Sequence, residues 1–287
     1  MLAALVAGGL VLLVFLAVRS VESSLIFFPA RYPDGVWDPT LFGPHVREVT
    51  FRSADGVLLH GWWFEAERPQ AAGAAAPGAP VPGAPVVLWA HGNAGNLTGR
   101  APHAQVLAGE GLSVFLFDYR GYGKSEGTPD EQGIYADAEA AYAHLVGEMG
   151  IPASRIVLLG RSLGSAPTAR LSTMVPHAAT VLVSPIPSAR RMARRMFAGV
   201  PVDWFARSGF PVTDWVGERA MPLLVIHGDR DGVVPLDFGR EVFDAAAEPK
   251  QFLELSGAGH NDILHVSGRD YIEPLVRFAK EAVATGR

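Results

Sequence analysis

Cysteine is missing from all 287 residues. That absence excludes disulfides, a thiolate nucleophile, thiolate metal ligation and acylation at a lipobox cysteine. It leaves the redox compartment open, because a chain without thiols tolerates either. A surplus of positive charge is missing too. Lys and Arg total 24 against 29 Asp and Glu, for a net charge of -5, and no basic tract dominates. The electrostatic footprint of a nucleic-acid binder is therefore absent, and no nucleic-acid partner is expected. No Cys/His cluster has metal-ligand spacing, so no metal site is expected. Internal repeats are absent as well. Charged residues make up only 18% and hydrophobic residues 49%, which gives a chain of this length enough apolar material for one large, well-buried domain.

The hydrophobic material begins at once. Residues 2–18 form an uncharged apolar run of about 17 residues. With Met1 it makes a helix of about 27 Å, at the short limit for a hydrocarbon core of roughly 30 Å. A cleaved signal peptide is the rival reading, but a basic leading region and a clean A-x-A site before Arg19 are both lacking. The expectation is an uncleaved single-pass anchor over residues 1–20, followed by one domain over residues 25–287. Arg19 and Arg31 follow the run, the charge placement of a cytoplasmic domain. Residues 46–51 and 57–65 flank Ala54-Asp55-Gly56 and read as a hairpin. The Ala/Gly/Pro tract at residues 69–85 cannot pack a core and reads as a flexible loop between strands.

Gly160-Arg161-Ser162-Leu163-Gly164 is the most informative stretch. It follows an apolar strand pattern, Ile156-Val157-Leu158-Leu159, and precedes the opening of a helix. A serine on so sharp a turn is pushed out of the sheet with its Oγ exposed, and flanking glycines spare the turn a collision. A nucleophilic serine needs a base, and the base needs an orienting carboxylate. Residues 221–227 read as a strand that runs into Gly228-Asp229-Arg230-Asp231-Gly232. Residues 251–255 read as another, ending in Ser256-Gly257-Ala258-Gly259-His260. Serine, carboxylate and imidazole thus all follow the C-terminal ends of strands, where open α/β sheets place their sites. Both Asp229 and Asp231 are candidates for the acid.

Six stretches carry a family resemblance: Leu25-Ile26-Phe27-Phe28-Pro29, His91-Gly92-Asn93-Ala94-Gly95-Asn96, Asp118-Tyr119-Arg120-Gly121-Tyr122-Gly123-Lys124-Ser125, the serine turn, and the loops at residues 227–235 and 257–262. In this order they resemble the α/β-hydrolase superfamily. More narrowly, they are similar to the membrane-anchored serine hydrolases with HGNAGN and GRSLG motifs, a branch that includes protein depalmitoylases and bacterial members. The resemblance implies an α/β-hydrolase fold: a mostly parallel central sheet flanked by helices, with a small helical cap at residues 185–220 and the N-terminal transmembrane helix. It implies Ser162 as nucleophile, His260 as base and Asp231 as acid, since the H-G-x-x-D-x-x-V-P pattern falls on residues 227–235. It also implies an oxyanion hole from the backbone N–H groups of Asn93 and Leu163, with Ala94 as the alternative to Asn93. No cofactor is implied, and a monomer acting on an acyl ester or thioester, lipid or lipidated, is expected.

The other histidines have plainer readings. His91 and His227 end strands and read as structural, and His265 is a weaker base candidate. Asp229 reads as a residue serving its own loop, and Asp118 as structural. In the cap, Ser188 is a helix N-cap for a segment carrying Arg190, Arg191, Arg194 and Arg195. These arginines form either a solvated helix face or a contact for anionic lipid headgroups. Trp204, Phe205, Phe210 and Trp215 either line an acyl cleft or hold the cap together.

Overall fold

The computed structural model describes residues 23–24, 26–67, 83–197, 208–218 and 221–285. Its sheet has eight strands: β1 (Val46–Arg52), β2 (Leu58–Phe64), β3 (Val86–Ala90), β4 (Ser113–Asp118), β5 (Ile156–Arg161), β6 (Ala179–Val183), β7 (Leu223–Gly228) and β8 (Lys250–Leu255). They lie in the order β1-β2-β4-β3-β5-β6-β7-β8. The β1–β2 and β2–β4 pairs are antiparallel and the remaining pairs are parallel. The expected hairpin is the β1–β2 pair, turned through Gly56 at φ +88°.

The apolar runs follow from burial on both faces. Side chains alternate along each strand. On β3, Val86, Leu88 and Ala90 enter one core while Val87 and Trp89 enter the other. On β4, Phe115 and Phe117 take the first face, and Val114 and Leu116 the second. The first face is covered by α2 (Glu131–Gly147), α3 (Ser165–Met174) and α6 (Leu236–Ala245); the second is covered by α1 (Ala101–Gly109) and α7 (Ile263–Thr285). The sequence pattern places the second helix at residues 129–149. It begins later because Asp130 is its N-cap, accepting the Gly133 N–H at 2.7 Å.

From β3 the chain crosses to β4 on one side, and β5 lies on the other. The order of strands therefore reverses about β3, and the crevice beyond the C-terminal ends of β3 and β5 is the natural site of such a sheet. Of the cap expected at residues 185–220, the described parts are α4 (Ala189–Met196) and α5 (Val212–Glu218), and α5 packs on α3. Ser188 caps α4 as expected, its Oγ accepting the Arg191 N–H at 3.2 Å. Most of the Ala/Gly/Pro tract and the apolar run at residues 2–18 lie outside the described residues. Among the described residues, no helix is long and apolar enough to cross a membrane.

Candidate active site

The serine turn has the strain its glycines imply. Ser162 sits at φ +53°, a left-handed conformation costly for a residue with a Cβ. A Cβ on Gly164 would run into the carbonyl oxygens of Ala90 and His91, and one on Gly160 would strike the Gly164 carbonyl and Thr168. Both positions are closed to any other residue unless the backbone moves. The turn is also tied down from within, since Ser165 Oγ donates to the Ser162 carbonyl at 2.6 Å and accepts the Ile186 N–H at 3.2 Å.

Three strand ends converge here. His260 Nδ1 lies 2.7 Å from Asp231 Oδ2, and His260 Nε2 lies 3.1 Å from Ser162 Oγ. An ionised carboxylate only accepts, so Nδ1 carries the proton and Nε2 is left to accept from the serine hydroxyl. The Asp231 side chain is fully buried. Burial by itself would raise its pKa. The hydrogen bonds from His227 and His260, the His260 charge and the Val234 N–H outweigh that and hold the carboxyl well below the ordinary range. Its Oδ1 accepts from Val233 N at 2.9 Å and Val234 N at 2.8 Å.

Asp229 points elsewhere. It accepts from Gly257 N at 2.7 Å and Ser256 Oγ at 3.4 Å, which ties two loops together. His227 is structural, with Nε2 2.8 Å from the Val234 carbonyl and 3.5 Å from Asp231 Oδ2. Asp118 is fully buried; it accepts the Leu97 N–H at 2.7 Å and lies 3.2 Å from His91 Nε2. His265 stands exposed on α7.

The loop after β3 lies against the nucleophile: a Cβ on Gly92 would fall 3.6 Å from Ser162 Cβ. No described residue hydrogen-bonds to the Asn93 N–H. Leu163 is the second residue of a 3-10 turn, Ser162–Gly164, so its N–H precedes the bonds made within that turn. The Asn93 side chain has a role that the sequence did not reveal. Its Oδ1 accepts from Phe28 N at 3.0 Å and Tyr122 OH at 2.9 Å, and its Nδ2 donates to the Ile26 carbonyl. Pro29 then pairs with Gly95. The segment after the N-terminal run is thus strapped across the loop beside the serine. The only signal for this was the Leu-Ile-Phe-Phe-Pro motif itself.

The cap residues divide. Arg191 pairs with Glu241 at 2.7 Å and stacks on Phe238, while Arg190, Arg194 and Arg195 are exposed. Phe210 is buried among Phe27 and Tyr135, and Trp215 packs edge-on to Tyr135 at 5.5 Å. These two aromatics pack cap residues against Tyr135 of α2. Trp204 and Phe205 lie outside the described residues.

A half-buried serine hydroxyl, an imidazole and a buried carboxylate in this order suit nucleophilic acyl transfer. A family model described as serine aminopeptidase, S33, matches residues 82–216. The chain is 36% identical to an uncharacterised protein of Mycobacterium tuberculosis, Rv2307c, over 99% of its own length and 95% of the relative's. It is 31% identical to α/β hydrolase domain-containing protein 17C of Xenopus tropicalis, over 85% of its own length and 78% of the relative's. This chain belongs to the α/β-hydrolase superfamily. The fold agrees. The esterase Pf2001 of Pyrococcus furiosus superposes with a TM-score of 0.69 at 23% identity, over 89% of this chain and 99% of that one. Within this hydrolase fold, the serine turn, the acid loop and the histidine loop occupy the ends of β5, β7 and β8.

Proposed function

We propose that the protein is a membrane-tethered serine hydrolase that cleaves a carboxylic ester or thioester through an acyl-enzyme. The observation that carries this reading is the relay from Ser162 Oγ to His260 Nε2 at 3.1 Å and from His260 Nδ1 to Asp231 at 2.7 Å. As Ser162 attacks the acyl carbon, His260 takes its proton and Asp231 stabilises the imidazolium. The oxyanion is received by the N–H groups of Asn93 and Leu163, each worth roughly 3–4 kcal/mol in the transition state. His260 returns the proton to the leaving alcohol or thiol. It then activates the water that attacks the acyl-serine and frees the acid.

The match to the serine aminopeptidase family favours a second reading, a peptidase built on the same site. A third is a hydrolase fold used only for binding, and the aligned relay argues against it. Fluorophosphonate labelling tests the chemistry. Wild-type protein is expected to label at Ser162, and Ser162→Ala to lose both labelling and turnover while staying folded. Labelling that persists in Ser162→Ala would move the nucleophile elsewhere. A panel of p-nitrophenyl esters of graded chain length beside aminoacyl p-nitroanilides then separates esterase from peptidase.

A further inference from the structure

Arg161 lies next to Ser162 in sequence, but its side chain reaches the opposite face of the sheet, between β5 and α7. There a cavity of about 140 Å³ is lined by Arg100, His103, Arg161, Val183, Ile263 and Tyr271. Its polar groups lack partners to a degree unusual for a folded interior. Tyr271 is 0% exposed and its hydroxyl has no hydrogen bond; His103 Nε2 and Arg100 Nε are likewise buried without partners. Neither arginine forms a salt bridge among the described residues. Arg100 donates to the Ala94 carbonyl, and Arg161 to the His260 carbonyl and to Asn261 Oδ1 at 3.4 Å.

Two guanidiniums facing one small cavity are costly when no counter-charge joins them. Burial, and for Arg100 the nearby Arg161 charge, push both pKa values down from the ordinary arginine value. The carboxylates that act on them from a distance, Asp118 and Asp231, form no ion pair with either arginine and lie against His91 and His260 instead. What remains is a convergent set: two guanidiniums, each bonded to one backbone carbonyl, with Arg100 Nε, the Tyr271 hydroxyl and the His103 Nε2 left without partners. Such a set matches a small oxyanion with several acceptor oxygens. The volume is enough for one such ion with a few waters.

We infer that the Arg100–Arg161–Tyr271 cavity binds a phosphate-type oxyanion, either free phosphate or the phosphoryl group of a small monoester. Because Arg161 also holds the His260 carbonyl and Arg100 the Ala94 carbonyl, the bound anion would sit directly behind the loops of the candidate active site. The site itself does not depend on the hydrolase chemistry, so its test reads binding rather than turnover.

Calorimetric titration of the full-length protein with inorganic phosphate, at fixed ionic strength with chloride as the control anion, is expected to show one saturable site. Arg100→Gln should weaken binding by at least about tenfold, as loss of a charged donor does. Tyr271→Phe should weaken it severalfold while keeping the wild-type Tm in phosphate-free buffer. The second variant guards against a merely misfolded first. Glycerol 3-phosphate is run in parallel. Tighter binding than inorganic phosphate assigns the site to a monoester headgroup, and equal or weaker binding assigns it to the free ion. Absence of saturation up to about 10 mM phosphate, or binding unchanged in both variants, would overturn the inference.

Discussion

Asp229 and Asp231 stand two positions apart in one loop and answer to different partners. Asp231 holds the His260 ring, while Asp229 holds the Gly257 N–H. Asp231→Asn should therefore lose about 10⁴-fold in kcat, the scale seen when an orienting carboxylate can no longer hold the tautomer. Asp229→Asn should lose no more than severalfold, and parallel ester hydrolysis assays check both. If Asp229→Asn proves the inactive variant, the roles must be exchanged. Asp231 also carries an acid-dependent part of stability. Its folded pKa lies below the unfolded value of about 3.9. That stability is complete above the unfolded value and is lost as pH falls towards the folded one. Denaturation curves below about pH 4 should accordingly be shallower in pH for Asp231→Asn than for wild type.

Among elements, the strand-turn-helix around Ser162 has the least freedom. Gly164→Ala would force a methyl group into the Ala90 and His91 carbonyls, backbone atoms that cannot swing aside. A loss of about 1–3 kcal/mol or more is expected, together with lost activity. Gly147→Ala, near the end of α2, meets nothing within 4 Å and should stabilise by about 0.5–1 kcal/mol. Urea denaturation of the two variants measures the contrast. This element was legible in the sequence because its chemistry is local: two glycines, a serine, and a strand and helix whose patterns adjoin. β5 and β7 were legible for the same reason, as apolar runs that end in glycine-containing turns. What the sequence hid was non-local. Nothing in the residues around Asn93 announces that its side chain grips Ile26 and Phe28, more than sixty positions away. That Arg100 and Arg161 line one cavity was equally invisible, since sixty-one positions separate them in the sequence. Arg191 was grouped with its neighbours by helical spacing, yet Glu241 on α6 singles it out.

For the molecule as a whole, buried histidines set the acid limit above that of Asp231. Burial lowers the pKa of His60, His103 and His144, and that of His103 to about 3. A base whose folded pKa is depressed binds its proton more readily when unfolded. Stability is then complete above about pH 6.5 and falls as pH drops towards the folded value. His103 packs between Trp89 and Tyr271, so His103→Phe keeps a ring in place and removes the titration. Its Tm should vary less than that of wild type between about pH 6 and 4; an equal slope would shift the cause to other groups. The remaining whole-molecule question is where the protein resides, and the strap of residues 26–31 makes it sharp. That segment lies across the loop beside Ser162 and follows the apolar run of residues 2–18 by seven residues in the sequence. An anchor there would hold the candidate active site close to the membrane surface. Full-length protein is expected to stay with membranes through carbonate and high-salt washes, because roughly 20 apolar residues in lipid outweigh surface electrostatics. A version starting near Glu22 keeps every residue of the strap and the relay, so it should be mostly soluble and still hydrolyse esters. Its remaining affinity for anionic vesicles, through the exposed Arg190, Arg194 and Arg195, should vanish on adding salt. N-terminal sequencing of the mature protein decides the matter: a chain that begins after Val18 would mean a cleaved signal peptide, and the anchor would have to be given up.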